Sequence, residues 1–222
     1  MKAIYLACLA IVGFTNAEFC YRNIHNSCLY KDPQLNNCHA NYSAVKHEIS
    51  KLQTYVMHHL THSFHYLLMS TNFATYESNR EGFAKLFRKL SDHTWDDAID
   101  LIKYVTKRGE TMDFNASVPQ EPNTAFSGNY NMFEIESLSR ALDMYKSLAS
   151  GAHKIHSDVT RRSEGYHDAE TLSYVENKFV HKHADAIREL AGYSNDLGSI
   201  LLKGDNPNLS LFLFDEYLQK QV

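Results

Sequence analysis

The residues of this sequence most able to do chemistry are polar side chains on or beside apolar helix rows: His59, Thr94, Asp97, Tyr145 and His183. Buried polar groups need hydrogen-bond partners, because an unpaired donor or acceptor destabilises the fold. We therefore expect a hydrogen-bonded core cluster in which Asp97 pairs with His59 or His183. The alternative is a single-metal site, since two histidines and an aspartate suit zinc if they converge.

A row of carboxylates at helical spacing forms a second pattern. Its members stand four residues apart and are Asp92, Asp96 and Asp100, with His93 beside them. Several carboxylates on one helix face suit a hard metal cation, which prefers oxygen ligands. The alternative is an ordinary solvated face on which Lys89 and Lys103 act as counterions. We call this set the carboxylate row.

Three further histidines, His58, His62 and His65, stand at i, i+4 and i+7. This spacing is compatible with a metal stripe, but we expect them on the outer face of a helix, where they add charge below about pH 6.5. The sequence contains neither the His-Glu-x-x-His motif of zinc peptidases nor the Gly-x-Ser-x-Gly turn of nucleophilic hydrolases. Neither class of hydrolase is therefore indicated.

Composition and charge restrict the class of protein further. The chain has 222 residues, 44% of them hydrophobic, with only 9 Gly and 4 Pro, as expected for one or two globular domains. Lys and Arg number 22 against 26 Asp and Glu, a formal charge of −4. The chain lacks the cationic excess that nucleic-acid binding requires, so we expect no nucleic-acid partner.

The N-terminal region is typical of a secreted protein. An apolar stretch over residues 4–14 follows Lys2 and ends close to Ala17, so we expect residues 1–17 to be a cleaved signal peptide. This stretch is too short to span a bilayer, and no later apolar segment is longer. We expect no membrane span, and a location outside the cell or in the lumen of the secretory pathway (ER or Golgi).

In this interpretation residues 18–41 form a cysteine-containing extension. Its cysteines are Cys20, Cys28 and Cys38. An odd number in an oxidising compartment favours one bond within the chain and one to another chain, with the pairing left open; the alternative is a free buried thiol. The N-glycosylation motif Asn-x-Ser begins at Asn41, Asn115 and Asn208, which would then be exposed to the modifying enzymes.

The elements that must position these side chains are predicted to be helices, because apolar residues recur in threes and fours throughout the rest of the chain. The predicted helices span residues 42–73, 79–107, 131–157, 168–202 and 209–220. A long connection over 109–128, with Pro119 and Pro122, lets the third helix run parallel to the second. The predicted domain over 42–222 is an all-α four-helix bundle with a long crossover and a short, apolar fifth helix that packs against another subunit.

Five segments resemble ferritin subunits in their order and in nearly the same spacing, and the resemblance extends over about Tyr42 to Gln219, most of the mature chain. They are Tyr66-Leu67-Leu68-Met69-Ser70, Phe83-Ala84-Lys85-Leu86-Phe87, Lys107-Arg108-Gly109, Ala186-Ile187-Arg188-Glu189-Leu190 and Leu213-Phe214-Asp215. With its predicted signal peptide, cysteines and glycosylation motifs, the sequence is similar to the secreted ferritins of insects and other arthropods. The resemblance implies a ferritin-like fold and a shell of twenty-four subunits that stores ferric iron as its cargo.

The resemblance also indicates the type of chain. By register, the ligands of the family's ferroxidase centre fall at His59, Tyr66, Thr94, Asp97, Tyr145 and His183, and only the tyrosine agrees. Two iron ions need a bridging carboxylate and anionic charge, and of these positions only Asp97 is anionic. We expect a light-chain-like subunit without a di-iron centre or enzymatic activity. Its implied partner is a heavy-type ferritin subunit in a hetero-oligomer of twenty-four chains, with an interchain disulfide.

Two other functions stay open at this point. The first is a ferroxidase with an atypical site at His59, Tyr66, Asp97 and His183, of which Asp97 and His183 would be a residual metal site. The second is a secreted four-helix signalling protein without a metal role, since such bundles share this outline. The five matched segments argue against the second.

The resemblance also places residues along the route of iron. The carboxylate row would face the cavity and nucleate mineral, although the basic Lys85, Arg88 and Lys89 stand beside it. Glu176 and His156 take positions of the threefold channel. Where the family has a second acidic ring this chain has Ser173, so we expect weaker entry of iron. Leu213 and Tyr217 take the positions that close the fourfold axis and predict an apolar plug.

Overall fold

The computed structural model describes residues 39–115, 133–160, 167–203 and 206–221. These residues form the helices α1 (Val45–Phe73), α2 (Glu81–Lys107), α3 (Glu134–Val159), α4 (Ala169–Val175), a π-helical turn π1 (Glu176–Val180), α5 (His181–Lys203) and α6 (Pro207–Gln221). The described residues contain no β-strand. The predicted all-α bundle is confirmed, and each predicted helix is present with its ends shifted by a few residues.

The first helix begins at Val45, three residues later than predicted, because of the backbone of Ser43. The φ angle of Ser43 is 59°, in the left-handed region that a right-handed helix cannot include. The Ser43 hydroxyl donates a hydrogen bond of 3.2 Å to the backbone oxygen of His167, just before α4. Residues 41–43 therefore bridge the starts of α1 and α4.

The fourth predicted helix is continuous over α4, π1 and α5, but it is not α-helical throughout. The π1 turn widens the helix between Glu176 and Val180. A π turn holds one residue more than an α turn, so it changes which later side chains face the core. Lys182 and His183 follow this turn directly, at the start of α5.

Hydrogen bonds between neighbouring helices establish that α2 runs antiparallel to α1. The Ser70 hydroxyl, late in α1, donates to the Ala84 oxygen near the start of α2 at 2.8 Å. The Ser91 hydroxyl, further along α2, donates to the Ser63 oxygen earlier in α1 at 2.9 Å. The two helices form the first predicted hairpin.

A second pair of contacts orients α3. The Tyr55 hydroxyl donates to the Leu148 oxygen at 3.0 Å, and the Tyr66 hydroxyl donates to the Ala141 oxygen at 3.2 Å. Because α3 therefore runs antiparallel to α1, it runs parallel to α2, as the long predicted connection allows. Residues 116–132 of that connection lie outside the described part of the chain.

The core consists of two apolar clusters, one towards each end of the bundle, with polar side chains between them. One cluster includes Phe73, Phe83, Phe87 and Leu138, and the other includes Leu52, Leu101, Leu148 and Phe179. Burial of these side chains is the main favourable term in folding. Within the described residues, no helix is both long enough and apolar enough to cross a membrane.

The last helix, α6, packs against the start of α2. The Asp215 carboxylate accepts a hydrogen bond of 3.0 Å from the Phe83 backbone N–H, one of the donors that the first turn of α2 leaves without a helical partner. A Cβ atom on Gly82 would lie 2.1 Å from the Asp215 backbone oxygen, so only glycine permits this approach. The other face of α6 is exposed in the single chain, with Phe212 50% and Leu213 58% accessible.

Candidate functional site

The polar layer between the two core clusters is built around His59 and His183, whose rings stack with centroids 5.8 Å apart. Both side chains are fully buried. The Nδ1 atom of His59 bonds the Tyr55 backbone oxygen at 2.9 Å, one helical turn earlier. The Nε2 atom of His183 lies 2.8 Å from the Tyr55 hydroxyl, which also donates to α3. The predicted core cluster of hydrogen-bonded polar groups is present.

Asp97 does not pair with either histidine, and this part of the prediction is wrong. Its Oδ1 atom instead accepts a hydrogen bond of 2.6 Å from the Lys182 ammonium group. The Asp97 side chain is 12% exposed and the Lys182 side chain 41%, so the ion pair lies at the edge of the core. Lys182 is the second residue of α5, which directly follows the π1 turn.

The titration of these groups follows from their burial. Burial lowers the pKa of His59 well below its usual value and that of His183 to about 4, so both rings are neutral at pH 7. Burial also raises the pKa of Asp97, whereas the hydrogen bond and charge of Lys182 lower it; the net direction is upward. The layer therefore holds two neutral imidazoles and a carboxylate whose partner is a protein cation.

The remaining ferroxidase positions hold hydroxyl groups that bond within the protein. The Thr94 hydroxyl donates to the Leu90 oxygen at 2.7 Å, and Tyr66 donates to α3 as described. The Tyr145 ring lies 5.7 Å from that of Tyr66. Burial raises the pKa of Tyr145 to about 12, although the neighbouring Thr94 hydroxyl has a smaller, lowering effect. Neither tyrosine is therefore an anionic ligand at neutral pH.

This layer has little capacity to bridge two metal ions. Asp97 is the one carboxylate among the six ferroxidase positions, all of which the structure describes, and the ammonium group of Lys182 already binds it. Among the described residues, no group of three or more His, Cys, Asp or Glu side chains is placed to hold one metal ion. The hydrogen bonds of the layer connect α1 to α3 and α5, and the ion pair connects α2 to α5.

The carboxylate row lies on the surface of α2, where basic side chains accompany two of its members. Arg88 donates to Asp92 at 3.0 Å, and Asp100 has Lys178 at 3.6 Å and Lys103 at 3.7 Å. Asp92, Asp96 and His93 are exposed, and Asp100 is half-buried. The row is thus a partly neutralised face, with Asp96 as its exposed centre.

The channel residues lie on different elements. Glu176 is exposed as the first residue of π1, and His156 is partly exposed in the last turn of α3. Ser173 is exposed on α4, and its hydroxyl accepts a hydrogen bond of 3.1 Å from the Asn177 side chain. The predicted threefold channel would bring these residues together from different copies of the chain.

The remaining predicted sites have mixed outcomes. The three cysteines Cys20, Cys28 and Cys38 lie outside the described residues. Asn115 and Asn208 are exposed. The Asn41 side-chain amide donates to Glu110 at 2.6 Å, and its Oδ1 atom is buried. The Asn41 amide nitrogen, to which a glycan would be attached, is therefore engaged in the fold.

The histidines expected on the outer face of α1 are not all exposed. His62 is only 6% accessible, because this face of α1 turns towards α3. The sequence analysis also did not identify Tyr55 as a member of the polar layer, although Tyr55 stands four residues before His59 and so shares its helix face. Lys182 had no such signal, since uniform α-helical spacing places it away from the face of His183.

Comparison with known sequences gives the family. The ferritin-like domain model of the Ferritin family matches residues 49–200. The chain is 39% identical to the ferritin light chain of Trichoplusia ni over the whole of both chains. It is 38% identical to the ferritin light chain of Drosophila melanogaster over 97% of this chain and 96% of that one. Identity to the ferritin heavy chain of Trichoplusia ni is 28%, over 70% of this chain and 72% of that one.

Comparison with solved structures agrees. The crystal structure of Trichoplusia ni secreted ferritin matches with a TM-score of 0.85 at 39% identity, covering 92% of this chain and all of that one. Helix order, the crossover and the fifth helix are thus those of a known ferritin. On sequence and on fold, this chain belongs to the ferritin family.

Proposed function

We propose that the chain is an iron-storage subunit of a secreted ferritin shell of twenty-four chains. In this proposal it has no ferroxidase centre of its own and co-assembles with a heavy-type chain that oxidises ferrous iron. Iron is the cargo, held as a ferric mineral inside the shell. The relatives that match over nearly the whole chain are named ferritin light chains, which supports this type of subunit.

One observation carries the absence of a ferroxidase centre: the ion pair between Lys182 and Asp97 at 2.6 Å. A di-iron centre needs carboxylates that bridge two cations, and here the single carboxylate of the layer is bound by a protein cation. His59 and His183 add no negative charge, because burial keeps them neutral. The residues present therefore do not fit a pair of iron ions.

The proposals about the cellular compartment and the partner chain are based on the sequence of residues that lie outside the described part of the structure. Residues 1–17 are proposed as a signal peptide, 18–41 as the cysteine-containing extension and 42–222 as the bundle. The matching Trichoplusia ni ferritin is named as secreted, and a heavy chain of the same insect is also a relative. We propose that one of Cys20, Cys28 and Cys38 joins this chain to its heavy-type partner.

Storage would still need entry and nucleation of iron. Glu176 and His156 are proposed to line the threefold channel with reduced negative potential. The carboxylate row is proposed as a weak nucleation surface, because Arg88 and Lys178 neutralise Asp92 and Asp100. Asp96 would be its most accessible ligand.

The test is the rate of ferrous oxidation by the chain assembled alone and by the same chain mixed with a heavy-type subunit. We expect the lone chain to oxidise iron at the buffer rate, and the mixture to oxidise it rapidly and to form a mineral core. A Lys182→Gln variant of the lone chain should stay at the buffer rate, because freeing one carboxylate does not create a bridging pair.

A second candidate function keeps a specific observation in its favour. His59 Nε2 and His183 Nδ1 are buried and have no hydrogen-bond partner among the described residues. A ferroxidase with an atypical site at His59, Tyr66, Asp97 and His183 would use these nitrogen atoms. Saturable oxidation by the lone chain, lost in His183→Ala and kept in the surface variant His153→Ala, would establish this function in place of the first.

A further inference from the structure

A strip of three histidines runs along α1 outside the polar layer. His58, His62 and His65 follow one another by a single helical turn, so their rings are neighbours on one face. The ring centroids of His58 and His62 are 6.0 Å apart, and those of His62 and His65 are 6.3 Å apart. We call these three residues the histidine strip.

The central member of the strip is buried with one of its two ring nitrogen atoms unbonded. His62 is 6% accessible, and its Nδ1 atom has no hydrogen-bond partner among the described residues. Leaving a buried ring nitrogen unbonded costs free energy, and natural cores avoid it. His58 and His65 are partly exposed, so solvent reaches the strip on either side of His62.

The imidazoles of the strip are electron-pair donors at neutral pH. Burial lowers the pKa of His62 to about 3, with a smaller contribution from its histidine neighbours. Burial and the charge of Arg140 lower the pKa of His65 to about 4. A neutral imidazole is the commonest metal ligand in proteins, whereas a protonated one repels cations.

The two ends of the strip differ in charge. Arg140, on α3, acts electrostatically on His65, and a fixed positive charge there opposes a second cation. A cation is therefore disfavoured at the His65 end of the strip, which leaves His58 and His62 as the pair of ligands.

We propose that His58 and His62 bind one borderline divalent cation of the Zn²⁺ class, with water molecules as its other ligands. Two imidazoles one helical turn apart chelate a cation without any change in the backbone. Imidazole nitrogen suits zinc better than it suits ferric iron, which prefers oxygen. The site is separate from the polar layer and does not depend on the proposed storage function.

The experiment is equilibrium dialysis against Zn²⁺ at pH 7.4, followed by metal analysis. It uses demineralised full-length protein in the same state of assembly for every variant, so that zinc bound elsewhere is common to all samples. We expect His58→Gln and His62→Gln each to lose the same one equivalent of zinc per copy of this chain. The matched control from the same strip, His65→Gln, should keep it.

A second measurement covers the case in which His62→Gln folds poorly. A ligand that binds the folded state raises Tm, so Zn²⁺ should raise the Tm of the wild type and of His65→Gln but not of His58→Gln, whose side chain is partly exposed. Equal zinc content in the wild type, His58→Gln and His62→Gln would overturn the proposal. So would a loss in His65→Gln as large as that in His58→Gln.

Discussion

At the scale of single residues, the proposed absence of a ferroxidase centre depends on the ion pair of Lys182 with Asp97. The carboxylate is 12% exposed, and its pKa is raised by burial despite the adjacent cation. A buried carboxylate lowers the stability of the fold unless a partner binds it, because the protein interior replaces little of the water that hydrated it. Lys182 therefore stabilises the fold where a catalytic chain would use metal ions to offset buried charge.

We predict that Lys182→Ala lowers the free energy of unfolding by about 1–3 kcal/mol, since it leaves the Asp97 carboxylate without its hydrogen-bond donor. Urea unfolding at pH 7 measures the change. The control is Lys103→Ala, whose ammonium group lies 3.7 Å from Asp100 on the exposed surface and should matter by less than about 1 kcal/mol. Equal effects of the two variants would contradict this account of the pair.

Sequence analysis found the residues of the polar layer but not their partners. Apolar periodicity places His59, Thr94, Asp97 and His183 inside the bundle, and they are inside it. It cannot place Lys182, because the π1 turn changes the helix face after Val180. It also misplaced His62, since an i, i+4, i+7 row fits an exposed face and the α1 face beside α3 equally well.

At the scale of elements, Arg108 connects the end of α2 to the start of α4 and to the segment before α1. Its buried guanidinium donates to Asp168 at 2.7 Å and to Glu170 at 2.7 Å, on either side of the start of α4. It also donates to the Tyr42 oxygen at 3.2 Å and lies 4.3 Å from the centre of the Tyr42 ring. Burial alone would raise the pKa of Asp168, but the Arg108 hydrogen bonds lower it overall.

We predict that Arg108→Ala destabilises the chain by about 3–5 kcal/mol, because it leaves the fully buried Asp168 carboxylate unpaired. Arg88→Ala is the matched control. Arg88 pairs with Asp92 on the surface at 3.0 Å, with side chains 59% and 53% exposed, so its loss should cost less than about 1 kcal/mol. Chemical unfolding of both variants against the wild type gives the comparison.

The same end of the bundle gives a prediction about modification. The Asn41 amide bonds Glu110 at 2.6 Å, and its oxygen lies 2.5 Å from where a Cβ atom on Gly109 would be. We predict that mass spectrometry of the secreted protein finds no glycan on Asn41, and that Asn41→Gln lowers stability by about 1 kcal/mol without changing glycan mass. A glycan on Asn41 in the folded protein would contradict the role of this hydrogen bond.

At the scale of the whole molecule, the order and direction of the helices were predictable because long, strongly periodic segments dominate the sequence. The crossover followed from the length of the proline-containing connection, and α2 does run parallel to α3. The exposed apolar face of α6, with Phe212 and Leu213, is the surface that other subunits would cover in the proposed shell.

Buried neutral histidines make the whole bundle sensitive to acid. Burial lowers the pKa of His62 to about 3 and that of His183 to about 4, so below pH 6.5 the unfolded chain binds protons that the folded chain does not. Stability is complete above pH 6.5 and falls as pH decreases towards these values, by about 2 kcal/mol for each histidine at pH 5.

We therefore predict a lower urea midpoint for the chain at pH 5 than at pH 7. The groups around the titrating rings are Tyr55, His59 and Lys182 for His183, and His58 and His65 for His62. The variant His62→Gln should lose about 2 kcal/mol less than the wild type over this interval. An unchanged midpoint from pH 7 to pH 5 would show that these rings already titrate normally.

The contact between Asp215 and the start of α2 has a consequence for synthesis of the chain. The carboxylate that caps the Phe83 N–H belongs to a residue 132 positions later. The backbone of that later segment approaches Gly82 so closely that a side chain there would clash with it. A ribosome makes the N-terminal residues first, so the first hairpin must wait for most of the polypeptide before its second helix is capped. Chaperones that meet the growing chain would therefore encounter an unfinished hairpin until α6 emerges.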